Sequence, residues 1–409
     1  MRMVDKRHYG VLSLPIIVGA LGFFVDVYDL LLFNIIRKPS LQSLGLSGDS
    51  LLTSGENILS IQMIGILIGG IFWGIMGDKK GRKSVLFGSI LLYSIATIAN
   101  GMATNVTQYT ILRFVAGLGL AGELGASITL VSEMLPKEKR GIAAAIIATT
   151  GVMGTVTAFF VNQWFHDWRL CYYIGGGMGL GLLFLRLGFL ESSMYDAVKK
   201  TNVSRGNFFM FFNNRERFLR YLRGVLIGLP VWYVIGILIT FSDKFAKEFG
   251  IGDIDPAKAV LCQYIGLAFG DLGAGLISNF LKSRKKALFL FYGLMSIFIL
   301  VYFIFHRDAQ SFYLTCIALG FGSGVSVLYI TMSAEQFGTN LRATAAISIP
   351  NVVRGILPLI ILLFKGLRSW AGDFITGAWI TGIIIMGIAF VAAWFTHESF
   401  GKDMDFLEH

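Results

Sequence analysis

Read for hydrophobicity alone, the chain alternates long apolar runs with short polar ones from end to end. Twelve apolar runs fall at 11–36, 56–77, 84–103, 107–132, 141–164, 170–190, 222–243, 258–280, 286–305, 311–334, 343–366 and 372–396. Each approaches or exceeds the roughly 20 residues that carry a helix across a hydrocarbon core. The pattern predicts an all-α membrane protein with twelve spans. The first run follows a basic Met1–Arg7 but is too long for a signal peptide's apolar region and lacks a small-residue cleavage site, so it reads as a retained helix.

The runs also repeat. A shift of 201 residues lays Ile64-Gly65, Gly69, Gly74 and Asp78 over Ile265-Gly266, Gly270, Gly275 and Asn279. One residue more brings Glu133, Arg140, Ala143 and Ala144 onto Glu335, Arg342, Ala345 and Ala346. Six helices repeated in parallel are the layout of two transporter halves rocking about a central site. The expected organisation is a six-helix bundle over 1–190, a linker over 191–221, and a second six-helix bundle with a short tail over 222–409. The linker carries Lys199, Lys200, Arg205, Arg215, Arg217 and Arg220 beside Phe208-Phe209-Met210-Phe211-Phe212, and reads as an amphipathic helix at the inner membrane surface.

Composition sharpens this picture. The chain is 55% hydrophobic and 15% charged, where soluble chains are about a quarter charged. The net charge of +10 would suit nucleic acid, but Lys and Arg concentrate on the side of the amino terminus. That asymmetry puts both termini in the cytoplasm and sets the basic residues against anionic membrane lipid, not nucleic acid. Cys171, Cys262 and Cys316 have no metal-ligand or redox spacing, and the five histidines lie near span ends or in termini. No metal, cofactor or nucleophile–base set is expected, so an enzyme is not. Asn105-Val106-Thr107 is a formal glycosylation sequon on a very short loop.

A tight basic turn joins the second and third runs: Gly74-Ile-Met-Gly-Asp78-Lys-Lys-Gly81-Arg82-Lys83. Its spacing resembles, at every position, the loop between helices 2 and 3 of the major facilitator superfamily. Glu133-Met-Leu-Pro136-Lys-Glu-Lys-Arg140-Gly141 fits that superfamily's Glu-x-x-Pro-x-x-x-Arg-Gly pattern. Arg113-Phe-Val-Ala-Gly117-Leu-Gly119-Leu-Ala-Gly122-Glu123 resembles helix 4 of metabolite:proton symporters, with Ala121 where a glycine is usual. Gly22-Phe-Phe-Val-Asp26-Val-Tyr28-Asp29 resembles helix 1 of phosphate:proton symporters. Glu123, where those carry Asp, tips the balance to the metabolite branch, which the tail from Glu398 to Asp405 also resembles. The prolines of sugar porters after helix 6 and the Gly-Pro pair of drug antiporters in helix 5 are both missing. The resemblance implies a monomeric plasma-membrane transporter, a bacterial inner membrane being the usual home.

Ionisable groups inside spans mark candidate function, because each costs about 2.5–3.5 kcal/mol on insertion scales. Asp26 and Asp29 share a face of helix 1, and Glu123 lies mid-way along helix 4. In the superfamily fold these helices flank one cavity, where clustered acids cannot all ionise and one can carry a proton. The competing structural role is an Asp that caps a broken helix or pairs with Arg113. Arg113 matches the helix 4 base that the family links to proton transfer. Asp271 and Arg354 are the mid-span charges of the second half, either a structural ion pair or, with Arg354 free, an anion site assisted by Asn351. Tyr28, Trp232, Tyr233, Gln263 and Tyr264 are further candidate substrate contacts with packing as their alternative, and Arg186 reads as snorkelling. Gly74, Asp78, Gly81 and Arg82, with the pairs Glu133–Arg140 and Glu335–Arg342, form the expected cytoplasmic gate.

These features predict a proton-coupled symporter importing a small polar metabolite, an organic acid favoured, by alternating access. An exporter driven by protons and a receptor without flux are the alternatives.

Overall fold

The computed structural model describes residues 14–80, 82–122, 137–193, 208–305, 308–338 and 341–401. All regular structure among them is helical. In chain order α1 is Leu14–Ser43, α2 Gly48–Lys80, α3 Arg82–Gly101, α4 Val106–Leu120, α5 Lys137–Phe165 and α6 Trp168–Ser193. There follow α7 Arg215–Tyr233, α8 Ser242–Glu248, α9 Pro256–Phe280, α10 Arg284–Ile304, α11 Ala309–Gly322 and α12 Val325–Glu335. The last three are α13 Arg342–Gly355, α14 Leu357–Ala371 and α15 Phe374–Phe395. Eight helical runs among the described residues are long and apolar enough to cross a membrane.

The caps explain the boundaries. Asn105, Asn214, Asp255, Ser283, Asp308 and Asp373 each accept a backbone N–H in the first turn of the helix that follows. Asn214 is why α7 starts at Arg215, seven residues before the expected span. The last basic residues assigned to the linker are its opening turns. The Phe208–Phe211 run is a 3₁₀ turn, not the expected amphipathic helix. Phe211 is buried between Tyr221 and Phe337, with ring centroids 4.7 and 5.2 Å away, and Arg217 donates to the Met210 carbonyl at 2.9 Å. Arg186 does not snorkel: it is 1% exposed and its Nη1 reaches the Leu86 carbonyl at 3.5 Å.

Helices pack through glycines, as expected where lipid removes the hydrophobic drive for helix association. A Cβ on Gly117 would lie 2.3 Å from the Gln62 carbonyl oxygen, and one on Gly320 would lie 1.9 Å from that of Gln263. Gly65 and Gly69 meet the Phe114 and Leu118 carbonyls, as Gly266 and Gly270 meet those of Ile317 and Phe321. The α2–α4 crossing is thus rebuilt by α9–α11. Across the two halves of the sequence, α2 packs on α13 and α14, and α9 on α5 and α1.

Three second-half runs are interrupted. After Pro230, α7 passes into a π-helix over Val234–Ile239, where Thr240 gives both its N–H (3.1 Å) and its hydroxyl (2.7 Å) to the Ile235 carbonyl. Ser323-Gly324 separates α11 from α12, and Ile356 separates α13 from α14, with Pro358 at the new start. By contrast α1 and α2 run uninterrupted for 30 and 33 residues.

Candidate functional site

In the first half, α1, α2 and α4 bring one charged cluster together at full burial. Arg113 donates from Nη1 to Asp29 Oδ1 at 3.2 Å, from Nη2 to the Asp29 carbonyl at 3.1 Å, and from Nε to Gln62 Oε1 at 3.3 Å. Gln62 is held in turn by its Nε2 on the Leu30 carbonyl at 3.3 Å. Asp29, Gln62 and Arg113 are all 0% exposed. Asp29 Oδ2 has no hydrogen bond among the described residues. Removing either partner of such a buried pair would leave the other charge uncompensated, so the two are bound to change together. Asp26 is buried on the same face. Tyr28 gives its hydroxyl to the Cys171 carbonyl at 2.9 Å and ties α1 to α6.

The second half places its charges differently. Asp271 and Arg354 do not pair. Asp271 accepts from the Ser326 hydroxyl at 2.6 Å and the Val327 N–H at 3.4 Å, at the start of α12. A carboxylate at a helix N-terminus satisfies donors left open by the break. Arg354 lies over the Trp232 ring at 5.7 Å, is 8% exposed and makes no ion pair with a described residue. Tyr264 and Tyr329 lie within the electrostatic reach of both Arg354 and Asp271. Gln263, 0% exposed, leaves both amide atoms without a hydrogen bond among the described residues. Tyr233 is turned away from this group, with its hydroxyl on the Ala378 carbonyl at 2.7 Å. Asn351 donates to the Ala121 carbonyl at 2.9 Å and so bridges α13 to the end of α4.

Sequence reasoning missed a set of charges at the end of the bundle that carries Ser43. Arg37, 1% exposed, spans from α1 to the Thr240 carbonyl (3.1 Å) and Asp243 (2.7 Å). Glu56 on α2, 0% exposed, binds Lys365 at 2.9 Å and Arg368 at 3.3 Å on α14. These two latches join residues about 200 and 310 positions apart, and singly each looks like an ordinary loop charge. A cavity of about 450 Å³ lies beside the second latch, lined by Asp49, Lys244, Arg368 and Asp373 among others.

At the opposite end Glu335 pairs with Arg284 at 3.1 Å and accepts from the Ser399 hydroxyl at 2.6 Å. Its expected partner Arg342 is among the side chains outside the described residues. So are the side chains of Asp78, Arg82 and Arg140, and the residues Gly81, Glu123 and Glu133 entirely. Gly74 has open space where a Cβ would stand.

The sequence profile described as the Major Facilitator Superfamily matches residues 19–362. The niacin transporter NiaP of Acinetobacter baylyi is 34% identical over 178 residues, 42% of this chain and 38% of that protein. A putative niacin/nicotinamide transporter NiaP of Bacillus subtilis is 25% identical over 80% of this chain and 82% of its own. The cis,cis-muconate transport protein of Acinetobacter baylyi is 24% identical over 82% of each. Among solved structures, the proton:xylose symporter XylE superposes with a TM-score of 0.68 over 95% of this chain and 97% of that one, at 15% identity.

Proposed function

The chain belongs to the Major Facilitator Superfamily, and from that premise we propose that it is a proton-coupled symporter importing a small organic anion, a planar carboxylate favoured. It is an integral membrane transporter of small organic molecules and not an enzyme, as its relatives are. The observation that carries the proton reading is the fully buried Asp29–Arg113 pair, whose Oδ2 takes no hydrogen bond from a described residue. Protonation of Asp29 releases Arg113 from its partner, and Arg113 returning expels the proton by favouring the charged carboxylate. Asp26, buried on the same face of α1, and Glu123 share that duty.

Arg354 supplies the substrate charge. A guanidinium already stacked on Trp232 offers a fork for a carboxylate beside a flat apolar wall, which suits a planar anion. Relatives named for niacin and muconate support that choice. Tyr264, Gln263 and Asn351 complete the polar lining, while Tyr28 and Tyr233 act as packing anchors and Asp271 as the cap of α12. Breaks in helices at membrane depth accompany transporter binding sites, and this half has three among the described residues.

In the proposed topology twelve spans form two six-helix units joined by the 191–221 linker, both termini are cytoplasmic, and the membrane is a bacterial inner membrane. The Ser43 end is then the outer side, and the Arg37 and Glu56 latches hold the outer gate shut. Gly74, Asp78, Gly81, Arg82, Glu133, Arg140, Glu335 and Arg342 serve the inner gate, and the two gates alternate.

The test is current on a solid-supported membrane. Purified protein in liposomes is given pulses of aromatic and unsaturated carboxylates, phosphate, amino acids, betaines and sugars at two pH values. A current for carboxylates that grows at acid outside pH and vanishes in Asp29→Asn is the expected result. A response to sugars or cations instead would overturn the anion reading, and flux reversed under an inward proton gradient would make the protein an exporter.

A further inference from the structure

We propose that Tyr109 and Tyr172 are positioning residues that tie the Asp29–Arg113 pair to the Arg37 latch, so that proton uptake is felt at the outer gate. The inference rests on the proton-symport reading above.

The two arginines are joined by a hydroxyl chain with one direction. Ser40 Oγ donates to the Arg37 carbonyl at 3.2 Å. Tyr109 Oη donates to Ser40 Oγ at 3.3 Å. Tyr109 and Tyr172 share a 2.6 Å hydrogen bond, and since the Tyr109 proton is already directed to Ser40, Tyr172 is the donor. At its far end the Tyr172 ring lies 5.5 Å from the Arg113 guanidinium, and Tyr109 precedes Arg113 by one turn of α4. Ser40, Tyr109 and Tyr172 are each 0% exposed, so water does not compete for these bonds, and chained hydroxyls polarise one another. Trp168 and Phe33 wedge the Tyr109 ring at 5.6 and 5.7 Å. They leave it little freedom except along the chain.

Ser40 sits where α1 is most easily moved. Pro39 inside α1 has no N–H, so the turn carrying Ser40 lacks one backbone tie to the helix below. The Tyr109 bond takes its place. When Asp29 is neutral, Arg113 loses its anion and leaves the face of Tyr172. The chain then relaxes, and the Ser40 turn no longer holds Arg37 against Thr240 and Asp243.

The groups around Asp29 are Asp26 and Tyr28 on α1, Arg113 and Tyr109 on α4, and Cys171 and Tyr172 on α6. On α2 the neutral Gln62 faces it, with Glu56 further out. α9, which also packs on α1, carries Lys258, Cys262, Tyr264 and Asp271. Among the described side chains of α5 none titrates.

The experiment reads outer-gate opening directly. Asn34, 2% exposed, lies one turn below Arg37 on the same face of α1. Asn34→Cys is placed in full-length protein whose three native cysteines are replaced by alanine, and labelling by a membrane-impermeant thiol reagent is timed at pH 5.5 and 8.0, each rate divided by that of the same protein unfolded at the same pH, which removes the fall in thiolate fraction on acidification. Acid is expected to raise this ratio by about fivefold, the lower end of ordinary two-site coupling. Tyr109→Phe and Tyr172→Phe, each lacking one oxygen and so lacking the tie to Ser40 at any pH, already label fast at pH 8.0 and lose most of the acid response. Ser40→Ala loses it as well, and Ser40→Thr keeps it, an outcome that a packing role would not produce. Phe variants with the full acid response, where Asp29→Asn abolishes it, would overturn the coupling and leave proton symport standing. An acid response that is missing in the parent, or that Asp29→Asn leaves intact, would overturn both.

Discussion

The first and second halves of this transporter share a frame and differ in what they do with it. Gly117 on Gln62 and Gly320 on Gln263 are the same close crossing, built 203 and 201 residues apart. At the position of Arg113 the second half has Cys316, so Gln263 has no guanidinium to hold, while Gln62 anchors one. The first half keeps α1 and α2 unbroken and buries a complete ion pair between helices. The second half breaks three of its runs, one of them at Ser323, the counterpart of Leu120 where α4 ends, and leaves Arg354 over an aromatic ring. Rigid helices with a neutralised charge suit a proton that must be bound and expelled at one fixed point. Broken helices with an unneutralised charge suit an anion that must be gripped and released. The proposed division of labour would then rest on a few side chains set into one repeated scaffold.

The sharpest way to break the comparison is to exchange acids between the halves. Asp29→Asn should lower proton-driven accumulation by about 100-fold or more, the usual contribution of a positioned proton carrier, while substrate exchange between equal pools continues. Asp271→Asn should keep accumulation proton-driven, because its carboxylate is committed to Ser326 and Val327 at the start of α12. Uptake into proteoliposomes with and without a pH gradient separates the two. If Asp271→Asn uncouples transport and Asp29→Asn does not, the proton belongs to the second half.

Arg354 tests the other side. Losing a charge-assisted hydrogen bond costs about 1.5–3 kcal/mol, so Arg354→Gln should raise the KM for the substrate roughly 10- to 100-fold with coupling intact. Arg354→Lys restores charge without the fork and should recover part of that loss. A KM unchanged in both variants would remove Arg354 from the substrate site.

The shared frame has its own test. Gly117→Ala and Gly320→Ala each push a methyl against a carbonyl of the crossing helix, and overpacking of this kind costs about 1–3 kcal/mol. The two variants should lower the melting temperature of the purified protein by several degrees and by similar amounts. A large loss in one half only would show that the repeat in sequence is not a repeat in packing.

Much of this was legible before any coordinates. The helix positions followed from apolar runs whose length a membrane dictates, and the repeat of Gly65 and Gly69 at Gly266 and Gly270 marked the crossings. Asp29 and Arg113 stood out because a charge in an apolar run needs a reason. The breaks were harder. Glycines like those flanking Ser323 also sit inside unbroken helices, Pro358 after Ile356 signals a stop or a kink equally, and the π turn over Val234–Ile239 depends on Thr240 reaching back to Ile235. The latches were invisible for another reason. Arg37 and Asp243, or Glu56 and Arg368, become partners only once the halves meet, and no local spacing encodes that meeting. Tyr109 and Tyr172 read as two more aromatic residues among many.

The smallest effect belongs to the tail, where the comparison can be sharpened at low cost. Glu398-Ser399 after the last span repeats Glu191-Ser192 after the sixth. Glu398 accepts from the Ser283 hydroxyl and from the N–H groups of Arg284 (2.9 Å), Lys285 (3.2 Å) and Phe400 (2.9 Å), and so caps the start of α10. Burial opposes its charge, but these donors outweigh it and hold the carboxyl below the ordinary value of 4.5. A carboxylate depressed in the folded state stabilises that state at pH above the unfolded value, and the contribution is lost as pH falls through the folded one. Half-exposure and screening keep it below about 1 kcal/mol. The melting temperature should therefore fall slightly faster on acidification below pH 4.5 in the parent than in Glu398→Gln, which has no such proton to take up. The two curves should converge at the acid end. Parallel curves would mean that the tail carboxylate does not hold α10, and the same pair of measurements on Glu191→Gln would show whether the first half uses its Glu-Ser in the same way.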